Sequence, residues 1–363
     1  MATFAYTIGG VCEKIHIAAK DYAKKNYAFN LGRQLGALDF LLSPTNGGIK
    51  TEISQNEDNK IVRAKVLYKQ RSLPCQILTG TAAQSASICD TAHESAIKEA
   101  DVTIDDRIAM QPRKFTNSLM KQICEGNQSV IDDFLSSDLR AMREKLDEKL
   151  LALMAAGVGV KKRQDGSTVA TGTYTDENLL STSTGQPIPL TGNYNKILMD
   201  YSNMQFSGTP ALIGQGNLQQ YFTLAGLACC NSATPYSDAL SKAGAAFYLD
   251  QAANSILGAN RFVMAAFGAS HLMWFNENSG IKINDDHMKN MVVPDPVYPQ
   301  LKWDLDFHYD DCTKTWTYMY SAYFDIFNVF QADSFAQNDP TPACDDELYG
   351  VTGLWGYRAQ SAS

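Results

Sequence analysis

The sequence predicts an α+β fold, and three observations predict it. Residues 49–70 read as a β-hairpin with one apolar side, residues 129–156 carry a long helical stripe, and residues 303–329 are aromatic-rich at strand spacing. Between the helix and the aromatic segment, a helix–strand–helix order adds an α/β subdomain.

The chain opens with an arm. In residues 1–46, Lys14, Lys20, Lys24, Lys25 and Arg33 outnumber Glu13 and Asp21, and glycines at 9, 10, 32 and 36 punctuate the segment. It reads as a solvated N-terminal face with a short helix. Asn46-Gly47-Gly48 is a breaker. Ile49 to Ile53 then reads as a strand and Gln55 to Asn59 as a turn. On the return run Val62, Ala64, Val66 and Tyr68 share one side, while Arg63, Lys65, Leu67 and Lys69 take the other. Such alternation marks a strand with one apolar face. Two strands alone cannot bury that face, so the hairpin is expected to need a further surface, one supplied by another subunit being a candidate. Residues 79–100 carry no assignment. Asp101 to Asp105 reads as a short strand, and Phe115 to Cys124 as a short helix opened by Thr116 or Asn117.

The strongest local signal follows. Ser129 to Asp132 resembles a capping box with Asp in the Glu position. Ile131, Leu135, Leu139, Met142, Leu146, Leu150 and Leu153 recur at steps of four and three, the spacing of one helix face. Asp132, Asp133 and Asp138 come early, and Arg140, Arg143, Lys145 and Lys149 later, which suits the helix dipole. Gly157 reads as the C-terminal stop. At 1.5 Å per residue the helix is about 40 Å long. Residues 161–192, rich in Gly, Ser and Thr, read as a long loop. A helix at 195–206, a buried strand at 210–214, a helix at 217–225 and strands at 247–249 and 261–265 follow. Pro294, Pro296 and Pro299 read as a linker into strands at 303–308 and 316–329.

Composition narrows the classes. The chain has 363 residues, 45% of them hydrophobic, and a net charge of −8; this suits a globular protein and lacks the basic footprint of a nucleic-acid reader. No secretion signal is visible at Met1 to Tyr6, and the longest apolar run, 150–160, is too short for a bilayer. Eight cysteines (12, 75, 89, 124, 229, 230, 312 and 344) are scattered without a CxxC pair, as reduced thiols used for packing would be. Between Asp295 and Glu347 eleven acids face two bases, so the end of the chain is expected to form an acidic sheet opposite a more basic arm and hairpin.

No HExxH, P-loop, nucleotide-type glycine run or nucleophile elbow occurs. Gly214-Gln215-Gly216 lacks a third glycine and reads as a turn before a helix. Asp285-Asp286-His287 reads as an exposed turn in preference to a metal site. Asp304 and Asp306 share a strand face and read as solvated in preference to an acid/base pair. Asn127-Gln128-Ser129 fits a glycosylation sequon but has no secretory context. No catalytic, cofactor-binding or metal-binding residue is therefore assigned, and no cofactor is expected.

The order of parts, with the hairpin at 49–70, the helix at 129–156, the stretch 195–226 with its PALIGQGNLQQYF run, and the closing LKWDLDFHYDD and FDIFNV strands, resembles the major capsid proteins of tailed bacteriophages, a fold shared with encapsulin shells. The resemblance implies an N-terminal arm (1–46), an E-loop hairpin (47–80), a P-domain with its spine helix (81–190), an A-domain (191–294), return strands of the P-domain (295–337) and a C-terminal segment (338–363). It implies a non-enzymatic subunit that self-assembles, through hexamers and pentamers, into an icosahedral shell. That shell would enclose double-stranded DNA without sequence-specific binding and without a membrane, as part of the virion capsid made in the host bacterial cytoplasm. A portal is implied too. So is a separate scaffolding protein, since the breaker at 46–48 and the glycines of the arm, each costing about 1 kcal/mol in a helix, leave no room for a long scaffolding coil. The alternatives are an encapsulin-like nanocompartment shell and, from another class, a cytoplasmic α+β enzyme.

Overall fold

The computed structural model describes residues 33–46, 50–55, 62–69, 97–163, 165–181, 188–189, 191–204, 206, 208–216, 218, 244–277, 282–285, 288–310, 313, 315–329 and 352–362, together with 14, 15 and 17–19. In chain order, helix α1 (Gly36–Leu41) and a 3-10 turn (Pro44–Asn46) precede strands β1 (Lys50–Gln55), β2 (Val62–Lys69), β3 (Ile97–Ile104), β4 (Asp106–Ala109) and β5 (Arg113–Phe115). Helices α2 (Asn117–Cys124) and α3 (Gln128–Asp133), a π-helical turn (Phe134–Asp138) and helix α4 (Leu139–Ala156) follow. Next come β6 (Lys161–Lys162), β7 (Thr168–Val169), β8 (Tyr174–Ser181), β9 (Ile188–Pro189), helix α5 (Thr191–Asn203), β10 (Ala211–Gly214), β11 (Ala246–Leu249) and helix α6 (Ala253–Ile256). The chain closes with β12 (Arg261–Ala265), β13 (Ser270–Phe275), β14 (Lys282–Asp285), β15 (Met288–Pro294), β16 (Lys302–Asp310), β17 (Thr315–Asn328) and β18 (Leu354–Ala362).

These strands make a three-stranded sheet (β1-β2-β3), a six-stranded sheet in the order β11-β10-β12-β18-β8-β9, and a seven-stranded sheet along β13-β17-β16-β15-β14, with β4 and β5 also paired to β17. The α+β class is the one expected. At 14 residues β17 is roughly 45 Å long and is the axis of its sheet. Its buried Trp316, Tyr318, Tyr320, Ala322 and Phe324 join the core under helix α4. The six-stranded sheet packs its other face on α5 through Ile197, Tyr201, Met204, Trp355 and Tyr357.

The long helix forms where the stripe placed it, with a change at its start. Two successive steps of four, from Ile131 to Leu135 to Leu139, drift by about 80° on a helix of 3.6 residues per turn. The wider π turn at 134–138 takes up that drift, and all three side chains stay buried. No capping box forms. Asn127 is the N-cap, without a side-chain cap bond, and Ser129 Oγ donates to Asn127 Oδ1 instead. Gly157 does end α4, but not as a left-handed residue (φ −80°). Its role is space: a Cβ there would lie 2.7 Å from Asn328 Nδ2 and 3.1 Å from Leu354 Cδ1.

Two expectations need correction, the loop at 161–192 and the linker at 294–299. The stretch 161–192 is no plain loop, since β8 lies inside it and pairs parallel with β18 along 174–181. The C-terminal segment 338–363 supplies β18, which sits between β12 and β8. The sheets draw strands from more than one of the expected segments. Strands β13 to β15, within 191–294, pair with β16 and β17, and the sheet of β10 to β12 takes strands from 174–181 and 354–362. Pairing follows spatial adjacency, which composition does not mark. The Pro294–Pro299 stretch is no linker either: buried Asp295 pins it to α4 and to Trp303. The helix expected at 217–225 lies largely outside the described residues.

Candidate functional site

The hairpin was expected to need a further surface for its apolar side, and its geometry is specific. Strands β2 and β3 pair in register from Val62 opposite Ile104 to Lys69 opposite Ile97. The expected alternation holds, with Val62, Ala64 and Val66 buried and Arg63 and Lys65 exposed. The apolar side, however, is covered within the chain. Val62, Ala64, Val66 and Ile104 pack on Met273, Phe327 and Val329 of the seven-stranded sheet and its edge. The missing third strand, β3, turns a two-stranded ribbon into a sheet able to hold that contact. The outward face is charged. Lys65 lies directly opposite Glu52 and Asp101 and bonds Glu99 at 2.7 Å, which pushes the lysine pKa up, Glu99 being the main cause. Lys65 is thus engaged within its own sheet. The side chains of Lys69 and Arg71 lie outside the described residues.

The other residues singled out in the sequence separate. Asp304 is not solvated: it is 1% exposed and accepts a bond from Glu277 N at 2.8 Å. Asp306, its supposed partner, is half-buried on the same strand. Asp304 is buried because β15 flanks it, Val292 standing opposite. Gly214 is a packing glycine, since a Cβ would lie 2.8 Å from Phe262 Cβ. Asp286 and His287 lie outside the described residues, and among the described residues no group of three His, Cys, Asp or Glu side chains is placed to hold a metal. None of the eight cysteine side chains is among those described. No helix among the described residues is long and apolar enough to cross a membrane.

What sequence reasoning missed is a set of buried polar joints that tie the sheets to the long helix. Arg143 of α4 bonds both oxygens of Asp295, at 3.0 and 3.1 Å. Asp295 also accepts from Trp303 Nε1 (2.9 Å), Val297 N (2.8 Å) and Tyr298 N (3.0 Å). Asp138, at the end of the π turn, accepts from Tyr318 Oη at 2.5 Å and pairs with Arg113 at 2.8 Å. A cleft of about 310 Å³ opens there, lined by Arg113, Phe115, Leu119, Phe134, Asp138 and Tyr318. Arg113, Asp138 and Tyr318 are bonded to one another there, and burial, then the Asp138 bond, hold the Tyr318 phenol far above its usual range. Beyond α4, Lys161 is buried with its Nζ 3.2 Å from Gly356 O and 3.6 Å above the Tyr357 ring, and it also bonds Thr175 Oγ1. Burial lowers its pKa to about 7. Arg163 pairs there with Glu177, and Tyr357 Oη donates to Asp200 at 3.2 Å. Finally Asp147 of α4 and Asp250, just after β11, meet beneath α1. Each joint sits between elements, so these groups position strands and helices relative to one another.

No family model matches the sequence, and no curated protein matches it. Among solved structures the chain is similar to a chain of the cyanophage A-1(L) capsid asymmetric unit, at 11% identity over 92% of this chain and 95% of that one, with a TM-score of 0.47. It is similar to the capsid of Ralstonia phage GP4 at 9% identity over 86% of this chain and 87% of that one, TM-score 0.43. A chain of Mycobacterium phage Bobi is similar at 10% identity over 93% and 94%, TM-score 0.41. Two of these three structures are described as phage capsids.

Proposed function

We propose that this chain is a major capsid protein, a subunit that self-assembles into an icosahedral shell around double-stranded DNA. One observation carries the reading: the parts that the resemblance implies come together in one body. A hairpin sheet is fastened by β3 and a small apolar cluster to the end of a long antiparallel sheet. The helical stretch 128–156 lies against that sheet, and a second sheet stands beyond the helix. In this assignment β1 and β2 are the E-loop, α4 with the seven-stranded sheet is the P-domain, and the six-stranded sheet with α5 is the A-domain. Shell subunits make closed, repeated contacts over several faces. A body stiffened by internal polar joints, carrying a charged outward sheet face at Glu52, Arg63, Lys65 and Asp101, suits that role. The portal, the separate scaffolding protein, the hexamers and pentamers and the virion location belong to the same proposal.

The test is assembly. The expressed chain, alone and with the scaffolding protein of its own operon, is examined by negative-stain microscopy and sedimentation. Closed shells or free capsomers of five and six subunits are the expected result. A monomer under both conditions, at concentrations where purified capsid proteins associate, overturns the proposal. Shells that enclose a protein cargo and no DNA in infected cells point instead to the nanocompartment.

A further inference from the structure

We propose that Asp147 and Asp250 share a single proton, and that this proton fastens helix α1 to helix α4 and to the six-stranded sheet, forming a joint that loosens when the proton leaves. The geometry comes first. Both carboxyls are fully buried, at 0% exposure. Leu38 N donates to Asp147 Oδ1 at 3.0 Å, Ala37 N approaches Asp250 Oδ2 at 3.4 Å, and Ala252 N donates to Asp250 Oδ1 at 2.7 Å. The two aspartates therefore clasp the first turn of α1 from α4 on one side and from the end of β11 on the other. The fit is close. A Cβ on Gly36 would lie 2.7 Å from Tyr248 O and 2.9 Å from Asp250 Cβ. Asp147 Oδ2 is buried and, among the described residues, receives no hydrogen bond from any N–H or O–H donor. Its neighbour is the Asp250 carboxyl, which has no hydrogen to give when ionised. One proton between them supplies the missing bond and removes one of two like charges.

The surroundings favour that proton. Burial, and then Asp250, push the Asp147 pKa up to about 8, and burial raises Asp250 also. The cation that bears on the pair, Arg33, opposes the shift only weakly: its terminal nitrogens pair with Glu148 at 2.7 Å and bond the Glu144 carbonyl, and its Nε alone is left buried without a partner among the described residues. Arg143, one turn away on α4, is held by Asp295. From α1 the titratable group is Asp39, which accepts from Tyr298 Oη at 2.6 Å. β11 contributes Tyr248, and α6 has no ionisable side chain. The folded state keeps a proton that the unfolded chain, with an aspartate value of 3.8, releases. Stability from this joint is therefore fully present at low pH, declines from about pH 4 upward and is gone above about pH 8.

Two readouts on the full chain test it, with Asp147→Asn and Asp250→Asn beside the wild type. In infrared titration, the wild type should show a protonated-carboxyl band that disappears with a midpoint near pH 8, and both variants should lack it. In hydrogen exchange corrected for intrinsic rates, protection of the Ala37 and Leu38 amides should fall between about pH 4 and the midpoint by up to roughly tenfold per pH unit, the limit for one proton, and level off above the midpoint. In Asp147→Asn, whose amide supplies a permanent donor, protection should stay flat. A wild type whose band titrates with ordinary carboxyls, or whose α1 protection ignores pH, overturns the proposal even if neither variant folds. So does an Asp147→Asn protein that keeps the wild-type pH dependence.

Discussion

Asp295 is a hub and Arg143 one of its spokes, so the two replacements should differ. Asp295 accepts five contacts: two from the Arg143 guanidinium, and one each from Trp303 Nε1, Val297 N and Tyr298 N. Arg143→Ala leaves a carboxylate with three donors still in place, so the loss is that of one charge-assisted bond, about 2 kcal/mol. Asp295→Ala leaves a guanidinium, only 8% exposed, without its acceptor, together with an indole N–H and two backbone N–H groups. Stranding a buried charge costs about 4 kcal/mol on its own, and the orphaned donors add to that. At about 2.1 cal/mol/K of unfolding entropy per residue over 363 residues, the midpoints should fall by about 5 °C for Asp295→Ala and under 3 °C for Arg143→Ala. Calorimetry on the same oligomeric form of each protein measures this, because association shifts apparent stability. An Arg143→Ala protein that loses as much as Asp295→Ala refutes the reasoning. The ion pair alone, not the convergence of donors on one carboxylate, would then hold α4 to the sheet.

Three further outcomes are expected. Gly36→Ala should destabilise by about 2 kcal/mol, because its Cβ meets backbone at 2.7 Å; Gly192→Ala, with open space around it in α5, should stabilise by about 0.5 kcal/mol, and thermal melting separates the two. Lys161→Met should raise the melting midpoint more at pH 6 than at pH 9. The buried ammonium, its pKa lowered from 10.5 to about 7, penalises folding fully below pH 7, and the penalty fades as pH rises toward the unfolded value. A gain that is equal at both pH values contradicts the burial of a titrating lysine. Arg63→Glu, on the outward face of the hairpin sheet, should leave the melting midpoint of the unassembled subunit within 1 °C or so while lowering shell yield in negative-stain counts; normal shells at normal yield would remove that face from the assembly contacts.

Much of the fold was legible because burial follows periodicity in β2, α4, β16 and β17. The stripe from Ile131 to Leu150 is buried throughout, and the alternation of Val62, Ala64 and Val66 is the observed one. The missed strands fail that test for physical reasons. In β8 the inward positions include Glu177, 5% exposed and paired with Arg163, so an acid stands where the pattern wants an apolar residue. In β18 Gly356 interrupts the run between Trp355 and Tyr357. It is glycine because the Tyr174 ring covers it, with a Cβ falling 2.8 Å from Tyr174 Cδ1. Neither cause is visible without the partner strand. The hairpin's cover was missed likewise: Met273, Phe327 and Val329 lie far along the chain, and nothing in residues 62–66 names them.

The buried acids also change how charge bears on assembly. Counted along the sequence, the acids after residue 294 promise a negative surface to face basic neighbours. In the structure Asp295 and Asp304 are buried and bonded inside the sheet, and Asp310 bonds Thr313 in its own turn. Elsewhere Asp138, Asp147, Asp200 and Asp250 are buried too. Hydrophobic burial is non-directional and would let α4 slide or rotate on the sheet. Carboxylates that collect donors from several elements fix one register, while the cost of desolvating them offsets much of what their bonds return. These aspartates are thus spent on the rigidity of the body. Among the described residues, exposed charges of both signs remain at Arg63, Glu52 and Asp101 on the hairpin sheet. Both signs lie within one or two residues of each other there, so their mutual attraction is short-ranged and screened at physiological salt. On this reading such contacts set which faces meet and in what orientation more than how tightly they hold.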